Sequence, residues 1–243
     1  MIRLIVGGAG GKMGRTVISL AEKSGFSVVA GVDVKFKEQK CNAETACDYP
    51  LNEDDFFKYK SFDGVDVKGD VIIDFSSPEG SISALGYAAR TKTPILIAAT
   101  GLSDDDFKAV YAAAKIVPVV YSENYSLGAL SFIRAAKALA APLAGCDMYI
   151  EEIHHSQKKD APSGTAKLLK REVESVTDKN VSVFSLRGGD IRGIHTLYIL
   201  GKNEMIELKH TAYSREIFAD GALKLAARII DKPPKLYSVD DLI

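Results

Sequence analysis

Short apolar strands alternate with helical segments over the first half of the chain, and this alternation restricts the fold more than any other feature. Residues 2–6 (IRLIV) have the composition of a strand buried on both faces of a parallel sheet. Further strands are predicted at residues 27–32, 71–75, 94–98 and 117–121, with helical patterns between them. Repeated strand–helix–strand units predict an α/β fold with a Rossmann-type, doubly wound parallel sheet.

The pattern changes near residue 124. A long helical pattern over 127–143 comes first, and strand-like segments then dominate as far as residue 210. This half predicts an α+β domain with an open mixed sheet and one embedded helix over 163–176. The last pattern, 217–230, is helical and is expected to return to the first domain. Residues 35–65 are polar and carry no motif, and a short helix is expected around 54–59.

Composition excludes several classes of protein. A net charge of −1 over 243 residues argues against a nucleic-acid surface or a polybasic membrane anchor. The longest apolar runs are of strand length, far below the roughly 20 residues of a membrane span, and the N-terminus leads into a strand rather than a signal peptide. We therefore expect a cytoplasmic protein with no nucleic-acid or membrane partner. Without a CxxC pair, no metal site or disulfide is expected, and the reduced thiols are Cys41, Cys47 and Cys146.

A glycine-rich turn follows the first predicted strand. Its spacing is Gly8-x-x-Gly11-x-x-Gly14, whereas the better-known G-x-G-x-x-G spacing fails at Met13. Glycines here allow a tight turn and a close approach of the backbone to a pyrophosphate. Asp33 ends the second strand, where a carboxylate can bind ribose hydroxyls and favours NADH, although a glycine turn without a ligand is the alternative. The cations that could offset repulsion of a 2′-phosphate, and so permit NADPH, are Lys12, Arg15 and Lys35.

A second motif, EEIHHSQKKDAPSGTA, occupies residues 151–166. Ser163 is placed to cap the helix that follows, and the backbone amides of Gly164 and Thr165 in its first turn favour an anion. The motif therefore predicts a small carboxylate-bearing substrate that becomes protonated, the alternative being a charged loop before an ordinary helix. His154 or His155 could supply a proton near neutral pH, and Lys158 and Lys159 add positive charge.

With the glycine turn, DFSSPEG, ATG, SENYSLG and EIHHSQKKDAPSGTA in this order, the chain resembles the 4-hydroxy-tetrahydrodipicolinate reductase family over nearly its whole length. The resemblance implies reduction of an unsaturated cyclic dicarboxylate to tetrahydrodipicolinate by NADH or NADPH, in diaminopimelate and lysine biosynthesis. It also implies a homotetramer. Residues 1–123 would form the dinucleotide-binding domain, completed by 213–243, and residues 124–212 the substrate-binding and oligomerisation domain.

The resemblance also assigns roles to individual residues. His154 is implied as the general acid, and Lys158 as its partner in substrate binding and protonation. The substrate carboxylates would be bound by His155, Gly164 and Thr165. The cofactor would be bound by Gly8, Gly11, Lys12, Met13, Gly14, Asp33, Phe75, Ala98, Thr100, Gly101 and Tyr125.

Two positions depart from the family pattern. The usual Gly-Thr-Thr-Gly loop reads Ala98-Ala99-Thr100-Gly101, and Val34 stands where many relatives have a basic residue after the acidic one. Two other readings remain open: a dehydrogenase acting on another small dicarboxylate, and a non-catalytic nucleotide-binding regulator. The remaining histidines, His195 and His210, fall in strand patterns and are expected to be structural. Arg187 could face the substrate or simply begin a turn.

Overall fold

The chain divides into two compact units in a computed structural model that describes residues 1–36 and 56–243. The first unit comprises Met1–Tyr125 and Phe218–Ile243, and the second comprises Ser126–Ile217. The second unit is therefore inserted between two parts of the first. No helix in the two described ranges is long and apolar enough to cross a membrane.

Seven parallel strands form the sheet of the first unit. Its central strands are buried on both faces, since Leu4, Ile5, Ile72 and Ile73 expose no surface, which explains their continuous apolar sequences. Numbered in chain order, the strands are β1 Ile2–Gly7, β2 Phe26–Val32, β3 Phe57–Tyr59, β4 Val71–Asp74, β5 Ile95–Ile97, β6 Pro118–Tyr121 and β11 Lys235–Tyr237. Their spatial order is β11-β6-β5-β4-β1-β2-β3. The chain thus winds outward in both directions from β1, and the order reverses between β1 and β4, where doubly wound sheets bind ligands.

Helices lie in several of the connections between these strands, as is usual for parallel pairing. They are α1 Lys12–Ala21, α2 Pro78–Thr91, α3 Asp104–Ala114 and, before the last strand, α6 Glu216–Ile229. Ser77 caps α2 by accepting a hydrogen bond from the Gly80 amide at 3.3 Å. Ser103 and Asp106 form a capping box on α3.

The second unit is a four-stranded mixed sheet with helices α4 Leu127–Ala140 and α5 Gly164–Glu174. Its strands are β7 Asp147–His154, β8 Ser182–Arg187, β9 Gly193–Leu200 and β10 Met205–Ala212. The order is β10-β9-β7-β8, in which only the β7–β8 pair is parallel. Alternate residues of β7 point into a core made with the two helices, and this core includes Ile150, Leu197 and Leu169. The predicted fold class, a Rossmann-type sheet plus an α+β unit with an open mixed sheet, is confirmed.

The structure corrects one predicted element. Residues 57–59 form strand β3 rather than the end of a short helix, because they pair with Ala30–Val32 at the edge of the parallel sheet. Sheet pairing here overrides a weak local preference. Residues 54 and 55 of that predicted helix, together with Cys41 and Cys47, lie outside the described residues.

Candidate active site

The turn between β1 and α1 leaves no room for side chains at two of its three motif glycines. A Cβ on Gly8 would lie 2.6 Å from the carbonyl oxygen of Phe75, and the φ of Gly8 is +69°. A Cβ on Gly14 would lie 2.2 Å from the carbonyl oxygen of Gly8. At Gly11 the nearest atom is 3.1 Å away, so that position is less restricted. Glycine is therefore required at positions 8 and 14 of the motif because the backbone packs closely there.

Helix α1 begins at this turn without a side-chain cap and without an acidic residue in its first turn. Its first amides, from Lys12 onward, therefore lack the acceptor that a capping side chain usually supplies. Together with the helix dipole, they favour an anion at the carboxyl end of β1.

Asp33 links the glycine turn to the end of β2. One carboxylate oxygen accepts a hydrogen bond from the Gly10 amide at 3.0 Å, and the other accepts one from the Lys35 amide at 3.0 Å. Each oxygen retains a lone pair for a further donor. The next side chain, Val34, is 82% exposed and places no charge there.

The other predicted cofactor residues follow the carboxyl ends of β4, β5 and β6, so they lie along the same edge of the sheet as the glycine turn. The Phe75 ring lies edge-on to that of Tyr125, with centroids 6.1 Å apart. The Tyr125 hydroxyl is buried and donates to the Ile97 carbonyl at 2.8 Å, and burial raises its pKa well above the ordinary range. Gly101 has a φ of +80°. The loop residues at this edge are Phe75, Ala98, Thr100, Gly101 and Tyr125.

Sequence reasoning missed Asp74, the last residue of β4. Its carboxyl group is fully buried and accepts hydrogen bonds from the Ser81 hydroxyl and the Ser76 amide. Burial raises the pKa of Asp74. A Cβ on Gly7 would lie 2.1 Å from the carboxyl oxygen of Asp74. The available signal was an acidic residue at the end of the apolar strand VIID, where a side chain is expected to be buried.

In the second unit, Glu152 and His154 lie on the same face of β7 because side chains two apart in a strand point the same way. The Glu152 side chain is fully buried. One of its oxygens accepts a hydrogen bond from Nδ1 of His154. The other accepts one from the Arg187 guanidinium at 2.7 Å and one from the Ser163 amide at 3.3 Å.

These contacts determine the charges of the pair. Burial alone would raise the pKa of Glu152, but hydrogen bonds from Arg187, Ser185 and His154 outweigh it, so the pKa lies below its usual value. Burial lowers the pKa of His154 more than the adjacent carboxylate raises it. Near pH 7 these two directions favour a carboxylate beside a neutral imidazole.

Helix α5 begins where the motif predicted. The Ser163 hydroxyl accepts a hydrogen bond from the Ala166 amide at 3.2 Å, and it shares a second one with Nε2 of His195 at 3.1 Å. No acidic residue occupies the first turn of α5. A Cβ on Gly164 would meet nothing within 4 Å. The two predicted substrate-binding residues of this turn, Gly164 and Thr165, thus stand at an open helix start.

Lys158 and its neighbours stand beside this helix start. Its ammonium group forms an ion pair with Asp160 at 2.8 Å, and Arg187 donates to the Asp160 carbonyl at 2.6 Å. His155 is half-buried and accepts the Lys158 amide at its carbonyl oxygen, 3.1 Å away, which closes the turn after β7. The predicted proton donor, lysine and helix amides therefore lie within one unit of the fold.

Three imidazoles lie in a row in this unit. The ring centroids of His154 and His195 are 5.2 Å apart, and those of His195 and His210 are 6.5 Å apart. Burial lowers the pKa of His195 to about 4, so it is neutral near pH 7. Within the described residues, Nδ1 of His195 and Nδ1 of His210 are buried without a hydrogen-bond partner.

Among residues 1–36 and 56–243, one group of side chains, Glu152, His154 and His195, has the spacing of metal ligands, with ligand atoms within 4.8 Å of one another. Both oxygens of Glu152 already accept hydrogen bonds, one of them from the Arg187 guanidinium. A guanidinium in that position would repel a cation, so the arrangement suits proton transfer better than metal binding. Glu152 was not predicted, and the E-x-H spacing on a strand was its signal.

Comparison with known proteins agrees with these observations. Family models described as the N-terminus and the C-terminus of dihydrodipicolinate reductase match residues 2–125 and 128–243. The chain is 40% identical to the 4-hydroxy-tetrahydrodipicolinate reductase of Caldanaerobacter subterraneus subsp. tengcongensis over 262 positions, covering 100% of this chain and 98% of that protein. It is 37% identical to the enzyme of the same name from Clostridium novyi, with the same coverage.

A solved structure shares the fold. The dipicolinate-bound dihydrodipicolinate reductase from Paenisporosarcina sp. TG-14 superimposes with a TM-score of 0.83 at 21% identity, covering 100% of both chains. The two matched models together span nearly the whole sequence, and the curated relatives are similar over their whole length. The chain therefore belongs to the dihydrodipicolinate reductase family.

Proposed function

We propose that the chain is a 4-hydroxy-tetrahydrodipicolinate reductase that forms tetrahydrodipicolinate with NADH or NADPH, in diaminopimelate and lysine biosynthesis. The observation that carries this proposal is the second unit's combination of a buried Glu152–His154 pair, Lys158 and the open start of α5. A proton donor beside two sources of positive charge is what reduction of an anionic ring requires. Membership of the family supplies the identity of the ring.

The first unit fits a dinucleotide. Gly8 and Gly14 bring the backbone close, and the uncapped start of α1 offers amides to a pyrophosphate. The remaining acceptor capacity of Asp33 suits ribose hydroxyls. The nicotinamide cofactor supplies a hydride from its C4 when bound. We assign the loops that contain Phe75, Thr100 and Tyr125 to the nicotinamide end.

Cofactor preference follows from the same groups. The Asp33 carboxylate would repel a 2′-phosphate, and the exposed Val34 supplies no charge to bind one. We therefore propose that NADH is the better reductant. Lys12, Arg15 and Lys35 make NADPH usable at a higher KM.

The second unit fits a cyclic dicarboxylate. We assign its carboxylates to Lys158, His155 and the amides of Gly164 and Thr165, because these groups present donors and positive charge at one helix start. His154 then protonates the ring carbon next to the one that receives the hydride. In support, the Paenisporosarcina protein was solved with dipicolinate, a ring dicarboxylate, bound.

We further propose a cytoplasmic homotetramer. The face of the four-stranded sheet away from the helices carries aromatic and aliphatic side chains: Tyr149 and Phe184 lie 6.1 Å apart, and Phe184, Leu186 and Met205 are all exposed. Such a patch favours association between copies. Light scattering after size exclusion should give four times the chain mass of 26.2 kDa, and a monomer mass would contradict the tetramer.

A coupled assay tests the function. Dihydrodipicolinate synthase, pyruvate and aspartate semialdehyde generate the substrate in the cuvette, and absorbance at 340 nm reports cofactor oxidation. Oxidation that depends on the synthase, faster with NADH than with NADPH, is the expected result. Failure to oxidise either cofactor, by protein shown to bind NADH, would overturn the proposed function.

A further inference from the structure

The Glu152 carboxylate is placed to control the imidazole of His154. It is fully buried, it bonds Nδ1 of His154, and its other oxygen is held by Arg187. We propose that Glu152 is a positioning residue that fixes His154 with its proton on Nδ1 and stabilises the imidazolium from which Nε2 delivers the proton. This inference rests on the proposed function, since the proton goes to that function's substrate.

The balance of charge around His154 supports this role. The negative group that touches it is Glu152. Asp160 forms an ion pair with Lys158, which is one of the cations that act on His154. The other groups around the Glu152–His154 pair are positive or titratable. They are Lys158 in the loop after β7, Arg187 in β8, His195 in β9 and, beyond His195, His210 in β10. Of these, Arg187 acts directly on Glu152 and keeps it ionised.

Neighbouring groups also restrict the position of the His154 ring. A Cβ on Gly193 would lie 3.1 Å from Nε2 of His154, so β9 passes close to the ring at a residue without a side chain. The ring of His195 meets that of His154 edge-on. With Nδ1 bonded to Glu152, a flip of the ring would leave a buried carboxylate oxygen without its donor, which is costly.

The proton balance of the step is simple. The imidazolium of His154 breaks its Nε2–H bond, and that electron pair stays on the nitrogen. The new C–H bond takes its electron pair from the ring double bond, which opens as the neighbouring carbon receives the hydride that bound NADH would supply. Glu152 keeps its hydrogen bond from Nδ1–H and is not itself protonated. The acidic member of a catalytic triad orients and stabilises its histidine in the same way. His154 regains its proton from solvent before the next turnover.

The substitution Glu152→Gln tests the proposal through the pH profile of kcat/KM, which reports the free enzyme. Because Glu152 favours the imidazolium, removing its charge should lower the pKa of His154 and move the alkaline limb of the profile to lower pH. At about pH 8, kcat should fall at least about 10-fold. KM should change little, because Glu152 does not touch the substrate. Glu152→Asp, which keeps the charge, should restore the limb toward its wild-type position.

A matched control removes a different ion-paired carboxylate from the same unit. Glu172 pairs with Lys137 at 3.0 Å on the surface of α5 and α4, and Glu172→Gln should leave both the limb and kcat unchanged. An alkaline limb that stays in place in Glu152→Gln, or that moves equally in Glu172→Gln, would overturn the proposal.

A measurement without substrate separates this inference from the proposed function. The chain has 4 histidines, so nitrogen-15 NMR of labelled wild-type protein can assign each imidazole with single substitutions. We expect His154 to carry its proton on Nδ1 in its neutral form. Neutral His154 with its proton on Nε2 would overturn the role of Glu152, even in a protein with full reductase activity. Conversely, an inactive protein with the Nδ1 tautomer would overturn the proposed reaction but not the Glu152–His154 link.

Discussion

At the residue scale, His154 has the clearest predicted role. His154→Gln should lower kcat by about 10²- to 10⁴-fold, the usual contribution of a positioned general acid. NADH affinity should be nearly unchanged, because the predicted cofactor residues lie in the first unit. Steady-state kinetics and NADH fluorescence titration measure the two quantities, and an unaltered kcat would remove His154 from the acid role.

Lys158 can be compared with its neighbour in the sequence. Lys158→Ala should raise KM and lower kcat, since its ammonium group is assigned to a substrate carboxylate. Lys159 is exposed, and Lys159→Ala serves as the control with the same change of charge. A normal KM in Lys158→Ala, or equal effects in both variants, would contradict the assignment.

His195 should make the fold sensitive to acid. Its pKa is lowered by burial to about 4, whereas an unfolded histidine titrates at about 6.5. Between these values the unfolded state binds more protons, so the free energy of unfolding falls as pH decreases through this window. From pH 7 to pH 5 this one group should cost roughly 2 kcal/mol. Urea unfolding of His195→Gln should show a pH dependence weaker by about that amount, and an identical pH dependence would exclude the effect.

Site residues were predictable to different degrees. His154, Lys158 and Gly164 could be proposed from the sequence because their motif is local. Glu152 and Arg187 are 35 positions apart and form one network, and only the pairing of β7 with β8 brings them together. Asp74 was hidden in an apolar strand. Local spacing could therefore propose His154 and His155 as proton donors, and the resemblance chose His154, but neither indicated the groups that bond His154.

At the element scale, the start of α5 joins stability to substrate binding. Ser163→Ala should destabilise the protein by about 1 kcal/mol through the lost cap, and more because His195 loses its partner. It should also raise KM by disturbing the amides of Gly164 and Thr165. Ser103→Ala removes a cap of the same type from α3 in the first unit and should cost about 1 kcal/mol without changing KM. Equal KM values in the two variants would argue against α5 as the substrate site.

Two glycine-to-alanine substitutions, one in the glycine turn and one in α2, should change stability in opposite directions. Gly14→Ala would place a Cβ 2.2 Å from a backbone oxygen and should destabilise the protein by about 1–3 kcal/mol while weakening NADH binding. Gly86 lies exposed within α2, where a Cβ meets nothing within 4 Å. Gly86→Ala should therefore stabilise by about 0.5–1 kcal/mol. Thermal unfolding with and without NADH measures both, and a stable, NADH-binding Gly14→Ala variant would contradict the packing.

Strands with strong apolar runs were predictable, and short edge strands were not. β1 and β4 are buried on both faces and are recognisable by composition alone. β3 and β11 have three residues each, and they exist because a neighbouring strand offers free hydrogen-bonding groups. That condition depends on the assembled sheet rather than on the segment itself.

At the scale of the whole molecule, the order of strand and helix patterns predicted two kinds of fold in one chain, and the structure has both. The alternation of strands and helices specified the parallel sheet of the first unit. The same rule could not specify the strand order β10-β9-β7-β8, because local patterns do not determine which strands pair. The resemblance to a known family supplied the reaction, which no pattern of strands and helices contains.

Transfer of deuterium from the cofactor tests the proposed reaction most directly. NADH labelled with deuterium at one or the other C4 position would be oxidised with synthase-generated substrate, and the product examined by mass spectrometry. We predict that one of the two labelled cofactors transfers a single deuterium to tetrahydrodipicolinate and that the other transfers none. Oxidation of NADH that leaves the product free of deuterium from both cofactors would contradict direct hydride transfer by this protein.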